Sequence, residues 1–162
     1  MEEKSKLKEF KEKYEILRKK FDLPEFDQLN RDFSIEKAAE NETDYIVREI
    51  RRIVTDRIFN YLRFIETLIN PSNAPMSIFS LVKTLGKEEK DKLNDIYQKL
   101  MKHEIQYLKL ELDFSEENEA KILNESNELW QEVKRDFLSV LEVSEKYEES
   151  KKSGSNGRGY FG

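Results

Sequence analysis

Apolar side chains recur every three or four residues along most of this chain, which is the spacing of an α-helix that buries one face. The first such seam follows the 3-4-3-4 steps of a heptad pattern, and it predicts a long helix that ends before Pro24 because proline restricts the preceding residue and has no N–H. The seam consists of Leu7, Phe10, Tyr14, Leu17 and Phe21. The two-residue alternation of a β-strand is almost absent, so we expect a helical chain.

The same spacing predicts three further long helices and one or two short ones. The long helices cover about residues 44–69, 88–112 and 116–147, and the short ones lie within 26–33 and 75–85. The helix over 44–69 has the widest apolar stripe, so we expect it to be the most buried. The fold class that follows is all-α: an antiparallel helical bundle of four long helices plus one or two short ones. This arrangement leaves room for a projecting, coiled-coil-like N-terminal helix.

The polar residues between these segments predict where the helices begin and end. Residues 34–43 are mostly polar and are expected to form a loop in which Asn41 or Thr43 caps the next helix. Gly86 is expected to end the second short helix in the left-handed conformation that glycine adopts without strain. Ser115 is expected to cap the last long helix.

Composition adds a domain boundary and a compartment to this picture. The chain has 162 residues, of which 37% are hydrophobic, and residues 1–150 suffice for a single helical domain. Residues 151–162 hold four of the five glycines and three cations without an acid, which predicts a disordered basic tail rich in Gly and Ser. A net charge of −5 disfavours broad non-specific binding of nucleic acid. The sequence has no signal peptide and no long apolar run, so we expect a cytoplasmic protein that does not contact membranes.

The sequence contains few of the residue types and motifs on which enzymatic catalysis depends. The lack of cysteine excludes disulfides, thiolate catalysis and cysteine-ligated metals, and Gly86 alone among residues 1–150 cannot build a glycine-lined phosphate site. His103 is the single histidine; it lies in a helical seam, and its helical neighbours include no good metal ligand, so it is predicted to be a packing residue with one hydrogen bond. Segment 111–128 carries seven acids against Lys121 alone, and we favour a solvated helix start over a divalent-cation patch or a docking site for a basic partner. We predict no enzymatic activity, no cofactor and no metal site.

Arginine is concentrated in the helix predicted over residues 44–69. Five of the nine arginines lie there and are the candidate residues for binding a partner or a phosphate: Arg48, Arg51, Arg52, Arg57 and Arg63. Three interpretations are open, because the planar guanidinium suits semi-buried ion pairs, acidic protein surfaces and phosphates alike. The arginines pair internally with acids of neighbouring helices, such as those of 111–128, or they dock an acidic protein, or they contact nucleic acid. Internal partners for each arginine indicate structure, whereas two or more free arginines on one face indicate a site.

The sequence favours a non-enzymatic helical module for protein–protein interaction, with a protein partner or a second copy of the chain. The alternative is an accessory nucleic-acid-associated protein that contacts phosphates through the arginine-rich helix. At the C-terminus, Arg158, Tyr160 and Phe161 form a candidate docking motif on the predicted tail. An unpaired N-terminal seam would need another chain to cover it.

Several short motifs resemble those of small uncharacterised helical proteins encoded by archaea. They are LP-x-F-x-x-LN-x-x-F at residues 23–33, REIR at 48–51, NP-x-NAP at 70–75, and Trp130. The resemblance covers about residues 5–145 and implies a cytosolic, all-helical protein, and it supplies no activity and no catalytic residue. The arginine-rich helix followed by a Glu-Glu-Lys helix start is also similar to the helical domain of GINS replication-complex subunits, which normally add a small β domain.

Overall fold

The chain folds into helices connected by short turns. A computed structural model describes residues 2–41 and 43–155, and within these ranges it contains seven helices and no strand. The helices are α1 (Glu2–Phe21), α2 (Phe26–Phe33), a 3-10 helix (Ile35–Glu40), α3 (Ile46–Ile69), α4 (Met76–Thr84), α5 (Lys87–Leu112) and α6 (Glu116–Ser155). Four are long and three are short, so the all-α bundle predicted from the apolar spacing is confirmed.

Helix α3 is central to the bundle: it packs against α5 and α6, which also pack against each other, and it contacts each of the remaining helices. Its inner stripe is fully buried and consists of Ile50, Val54, Ile58, Leu62 and Ile65. Ion pairs link Arg51 to Glu111 and Arg63 to Glu104, so α5 runs antiparallel to α3. The prediction that this helix would be the most deeply placed agrees with its position.

The seam of α1 is covered by the chain itself. Phe10 and Tyr14 are buried, and the ring of Tyr14 meets that of Phe26 edge-on at 5.6 Å between centroids. The Tyr14 hydroxyl donates a hydrogen bond of 2.7 Å to the carbonyl oxygen of Pro24, which holds the turn after α1 against the helix. Leu17 and Phe21 pack against the same core. The helix therefore lies on the bundle along its seam, and the seam needs no second chain.

Three predicted boundaries are wrong, each because burial or a local hydrogen bond decides the backbone. The segment predicted as a loop over 34–43 contains the 3-10 helix, whose Ile35 is fully buried in the core. Neither Asn41 nor Thr43 caps α3, whose N-cap residue is Tyr45; the Thr43 Oγ1 instead accepts the N–H of Tyr45 at 3.0 Å. Gly86 has φ −79° and opens α5, where the Glu89 carboxylate accepts its N–H at 2.9 Å.

Helix α6 begins as predicted and ends later than predicted. The Ser115 hydroxyl accepts the N–H of Asn118 at 3.1 Å, which confirms its capping role. The helix then continues to Ser155, five residues into the segment that was predicted as a tail. The side chain of Ser153 bonds back to the Glu149 carbonyl oxygen at 3.2 Å, and Lys152 in the last turn suits the negative end of the helix dipole. Residues 156–162, with the candidate tail motif Arg158, Tyr160 and Phe161, lie outside the described residues.

Candidate functional site

Arg51, one of the candidate binding residues, is fully buried between α3, α5 and α6. Its Nε and Nη2 donate to both carboxylate oxygens of Glu119, which is itself buried, and the Nη2–Oε1 distance is 2.9 Å. Nη2 also donates to Glu111 Oε1 at 2.7 Å, and the guanidinium lies 4.8 Å from the ring centroid of Tyr107. Arg51 therefore forms an internal ion pair, as the first of the three interpretations has it, and its buried side chain is not exposed to a partner or a phosphate.

The pKa shifts of Arg51 and Glu111 favour the charged form of both side chains. Burial alone lowers the pKa of Arg51, but the hydrogen bonds and charges of Glu119 and Glu111 outweigh burial and raise that pKa above its ordinary value. Burial raises the pKa of Glu111, but the hydrogen bond and charge of Arg51, aided by Arg52 and Arg48, leave it below its ordinary value. The cluster is thus a charged, mutually neutralising group inside the bundle.

The remaining candidate arginines lie around this cluster and on the surface of α3. Arg48 places Nε 3.7 Å from Glu119 Oε1 and stacks its guanidinium 4.8 Å from the ring centroid of Phe114. Arg52 Nη2 lies 3.8 Å from Glu111 Oε2.

Arg63 pairs with Glu104 and Glu66, and Arg57 is exposed without an ion-pair partner among the described residues. Four of the five arginines thus have carboxylate partners, which favours the internal interpretation. Two of those partners, Glu111 and Glu119, come from the predicted acidic segment 111–128.

His103 is buried, more deeply than the half-buried packing histidine that was predicted, and the side chains of both Ser126 and Gln106 interact with its ring. Its Nε2 lies 2.7 Å from Ser126 Oγ. The Ser126 hydroxyl donates its only proton to the Ile122 carbonyl oxygen at 2.6 Å, so it accepts from His103 Nε2–H. Burial lowers the pKa of His103, an effect that Gln106 and Glu125 partly oppose. Across residues 2–41 and 43–155 no group of three or more His, Asp or Glu side chains is arranged to hold a metal ion.

Helix α5 also carries a feature that was not predicted from the sequence, a second apolar stripe that faces solvent. Its exposed members are Ile105, Leu108 and Leu112, with 51%, 54% and 89% of their surface accessible. Met101, which is partly buried, begins the stripe, so the four residues follow 4-3-4 spacing, the heptad pattern of a coiled-coil face. We call these four residues the outer stripe. The signal was present in the sequence, but the inward seam of the same helix, which runs from Leu93 to Leu110, concealed it.

Charged side chains border the outer stripe on both edges. On one edge stand Lys102 and Lys109, which flank Ile105 at positions i−3 and i+4 and are both exposed. On the other edge stand Glu104 and Glu111, which flank Leu108 at i−4 and i+3 and bind arginines of α3. At the end of the stripe, Phe114 and Tyr45 are also exposed, and their rings meet edge-on at 6.1 Å. The stripe is thus an apolar band on a rigid helix with ionic edges.

Comparisons with protein-family models, with curated proteins and with solved structures found no match to this chain. In the part of the chain that the structure describes, no helix has the length and apolar character that crossing a bilayer requires. The function is therefore inferred from the surface of the structure, whose main feature is the outer stripe.

Proposed function

We propose that this protein is a non-enzymatic helical interaction module that binds a helix of another protein along the outer stripe of α5. The single observation that carries the proposal is the exposure of Ile105, Leu108 and Leu112 at heptad spacing. Isolated apolar residues are common on protein surfaces, but a continuous apolar band with a polar border is typical of an interaction site. The heptad spacing favours a helical partner, whose own apolar seam packs between these side chains.

The fold presents the outer stripe in a form ready for binding. The opposite face of α5 is anchored in the core by Leu93, Ile96 and Leu100, all of which are buried. A helix held in this way loses little conformational freedom on binding, so less of the contact energy is consumed by ordering. From Met101 to Leu112 the helix rises roughly 16 Å, or about three turns, which suits a short partner helix and a modest affinity.

The alternative, nucleic-acid binding through the arginine-rich helix, has less support from the geometry. It needs guanidinium groups that are free to meet phosphates, and Arg57 alone among the five candidates has no carboxylate partner within the described residues. Phosphate binding also gains from several adjacent cations, since each contact adds to the electrostatic attraction. The outer stripe is therefore the better-supported site.

The proposal is tested with a helical peptide of about three heptads that carries Leu and Ile along one face and Gln at its edges. We expect isothermal titration to detect binding to the wild-type chain and a loss of at least about tenfold in affinity for Leu108→Glu, since burying a half-exposed leucine contributes on the order of 1 kcal/mol and a buried carboxylate adds a penalty. The matched control is Ile16→Glu on α1, which replaces an isolated apolar residue that is 69% exposed. Equal affinity of wild type and Leu108→Glu, or no binding to the wild type, contradicts the proposal.

A further inference from the structure

The edges of the outer stripe also indicate the charge of its partner. On the premise that this stripe binds a helix, we infer that the bound helix carries acidic side chains on the side of its apolar face that meets Lys102 and Lys109. The structural basis is that these two lysines are unpaired on one edge of the stripe, whereas the charges on the other edge are already paired with one another, in a chain whose net charge is −5.

On the first edge the cations are free. Lys102 and Lys109 are exposed and have no ion-pair partner among the described residues. They lie seven residues apart, so both project from the same side of α5, two turns from each other. A partner helix packed on the stripe brings one edge within reach of both ammonium groups, and glutamates at matching positions on that helix would pair with them.

On the second edge, the acids already form ion pairs with arginines of α3. Glu104 binds Arg63, and Glu111 binds Arg51 and Arg52. Arg52 and Arg63 are exposed beside these carboxylates, and Arg63 Nη1 also lies 3.6 Å from Glu66 Oε2, so the charges along this edge largely cancel. Asp56 on α3 and Asp113 after the end of α5 are exposed acids without an ion-pair partner in the described part of the chain, and both oppose an acidic partner.

A second copy of the chain fits these edges poorly. In an antiparallel pair of α5 helices, like edges face each other, so Lys102 of one copy would face Lys109 of the other. In a parallel pair, Lys109 would approach Glu104 of the other copy, whose carboxylate is already bound to Arg63. Neither arrangement satisfies the free lysines, whereas a helix with an acidic edge satisfies them without competition, and complementary charge of this kind selects partners.

The test uses the full chain and three peptides that share one apolar face and differ only at the edge positions, with Glu, Gln or Lys there. Fluorescence anisotropy should rank the affinities as Glu above Gln above Lys, with about a tenfold difference between the first and the last. The double variant Lys102→Glu with Lys109→Glu should reduce or reverse this ranking. The matched control, Lys37→Glu with Lys83→Glu, changes the net charge equally at two exposed lysines outside α5 and should leave the ranking intact.

Each remaining outcome bears on a distinct claim. Equal binding of the three peptides, together with sensitivity to Leu108→Glu, overturns the acidic partner and leaves the helix-binding module standing. Failure of every peptide to bind, or insensitivity to Leu108→Glu, overturns the module itself. Sedimentation equilibrium that finds a dimer of the wild-type chain, dissociated by Leu108→Glu, identifies the second copy as the occupant and overturns the inference.

Discussion

Removing one member of the buried Arg51–Glu119 pair should destabilise the fold far more than removing both. Glu119→Leu leaves the Arg51 guanidinium buried with Glu111 as its remaining acid, and Arg51→Met leaves the Glu119 carboxylate with Arg48 at 3.7 Å. Breaking a buried ion pair in this way costs about 3–5 kcal/mol, which is a large part of the roughly 5–15 kcal/mol that holds a domain folded. Because each kcal/mol lowers the Tm of a chain of this size by about 2–4 °C, we expect each single variant to melt roughly 10 °C lower.

The double variant shows how much of each single loss comes from leaving the other charge buried without its partner. Arg51→Met with Glu119→Leu removes both buried charges and keeps apolar volume in their place, and Glu111 retains Arg52 at 3.8 Å. Replacing a buried ion pair by apolar residues is often neutral or stabilising, so the double variant should be more stable than either single variant. The two single losses added together should exceed the loss of the double variant by a coupling free energy of at least about 2 kcal/mol.

Urea denaturation followed by circular dichroism measures these free energies, and an unchanged slope of the transition shows that the variants unfold as the wild type does. The control pair is exposed: Lys92 Nζ lies 3.0 Å from Glu88 Oε1 on the surface of α5, and Glu88→Gln should leave stability unchanged within error. Additive losses in the double variant, or single losses no larger than that of the control, would refute a buried ion pair at this position. The placement of α6 against α3 would then be wrong as well.

Two further effects should be measurable in the same assay. Burial lowers the pKa of His103 in the folded state, so at pH values near its ordinary pKa of about 6.5 the unfolded chain binds a proton more readily than the folded chain. The free energy of unfolding should therefore fall between pH 7.5 and 5.5 in the wild type, and it should fall less in His103→Gln. Tyr14→Phe removes the donor to the Pro24 carbonyl oxygen and should cost about 1 kcal/mol in urea unfolding, whereas Tyr147→Phe, at an exposed tyrosine of α6, should cost nothing measurable.

Much of the fold was predictable because helical burial follows a local rule. The apolar stripe of α3 and the inward seam of α5, from Leu93 to Leu110, identify both helices and the faces that they bury. Of the three interpretations open for the arginines, Glu111 and Glu119 support internal pairing with acids of segment 111–128, whereas the interpretation of this segment as a solvated helix start is wrong for the buried Glu119. Apolar spacing and charge excess can be read from the sequence because they are properties of a few consecutive residues.

The remaining features depend on contacts between distant segments. Gly86 was expected to end a helix, but the side chain of Glu89 makes it the first cap of the next one. The polar spacing around Ile35 indicated a loop, and only the packing of α1 and α3 on the 3-10 helix makes Ile35 a core residue. The outer stripe was not predicted because α5 has apolar residues at heptad spacing on two of its faces. The sequence alone does not show which of these faces the neighbouring helices cover.

The buried ion pairs and the outer stripe are linked, because the ion pairs fix the rotation of α5 about its axis. Glu104 and Glu111 lie seven residues apart on one side of α5, and both reach arginines of α3. A rotation that turned Leu108 toward α3 would carry both carboxylates away from those arginines and leave Arg51 buried without its second partner. The energetic cost of an unpaired buried charge thus opposes the rotation that would hide the stripe, even though hiding it would remove apolar surface from water. The arginines singled out in the sequence therefore support the proposed binding site indirectly, by keeping its apolar side chains on the outer face of α5.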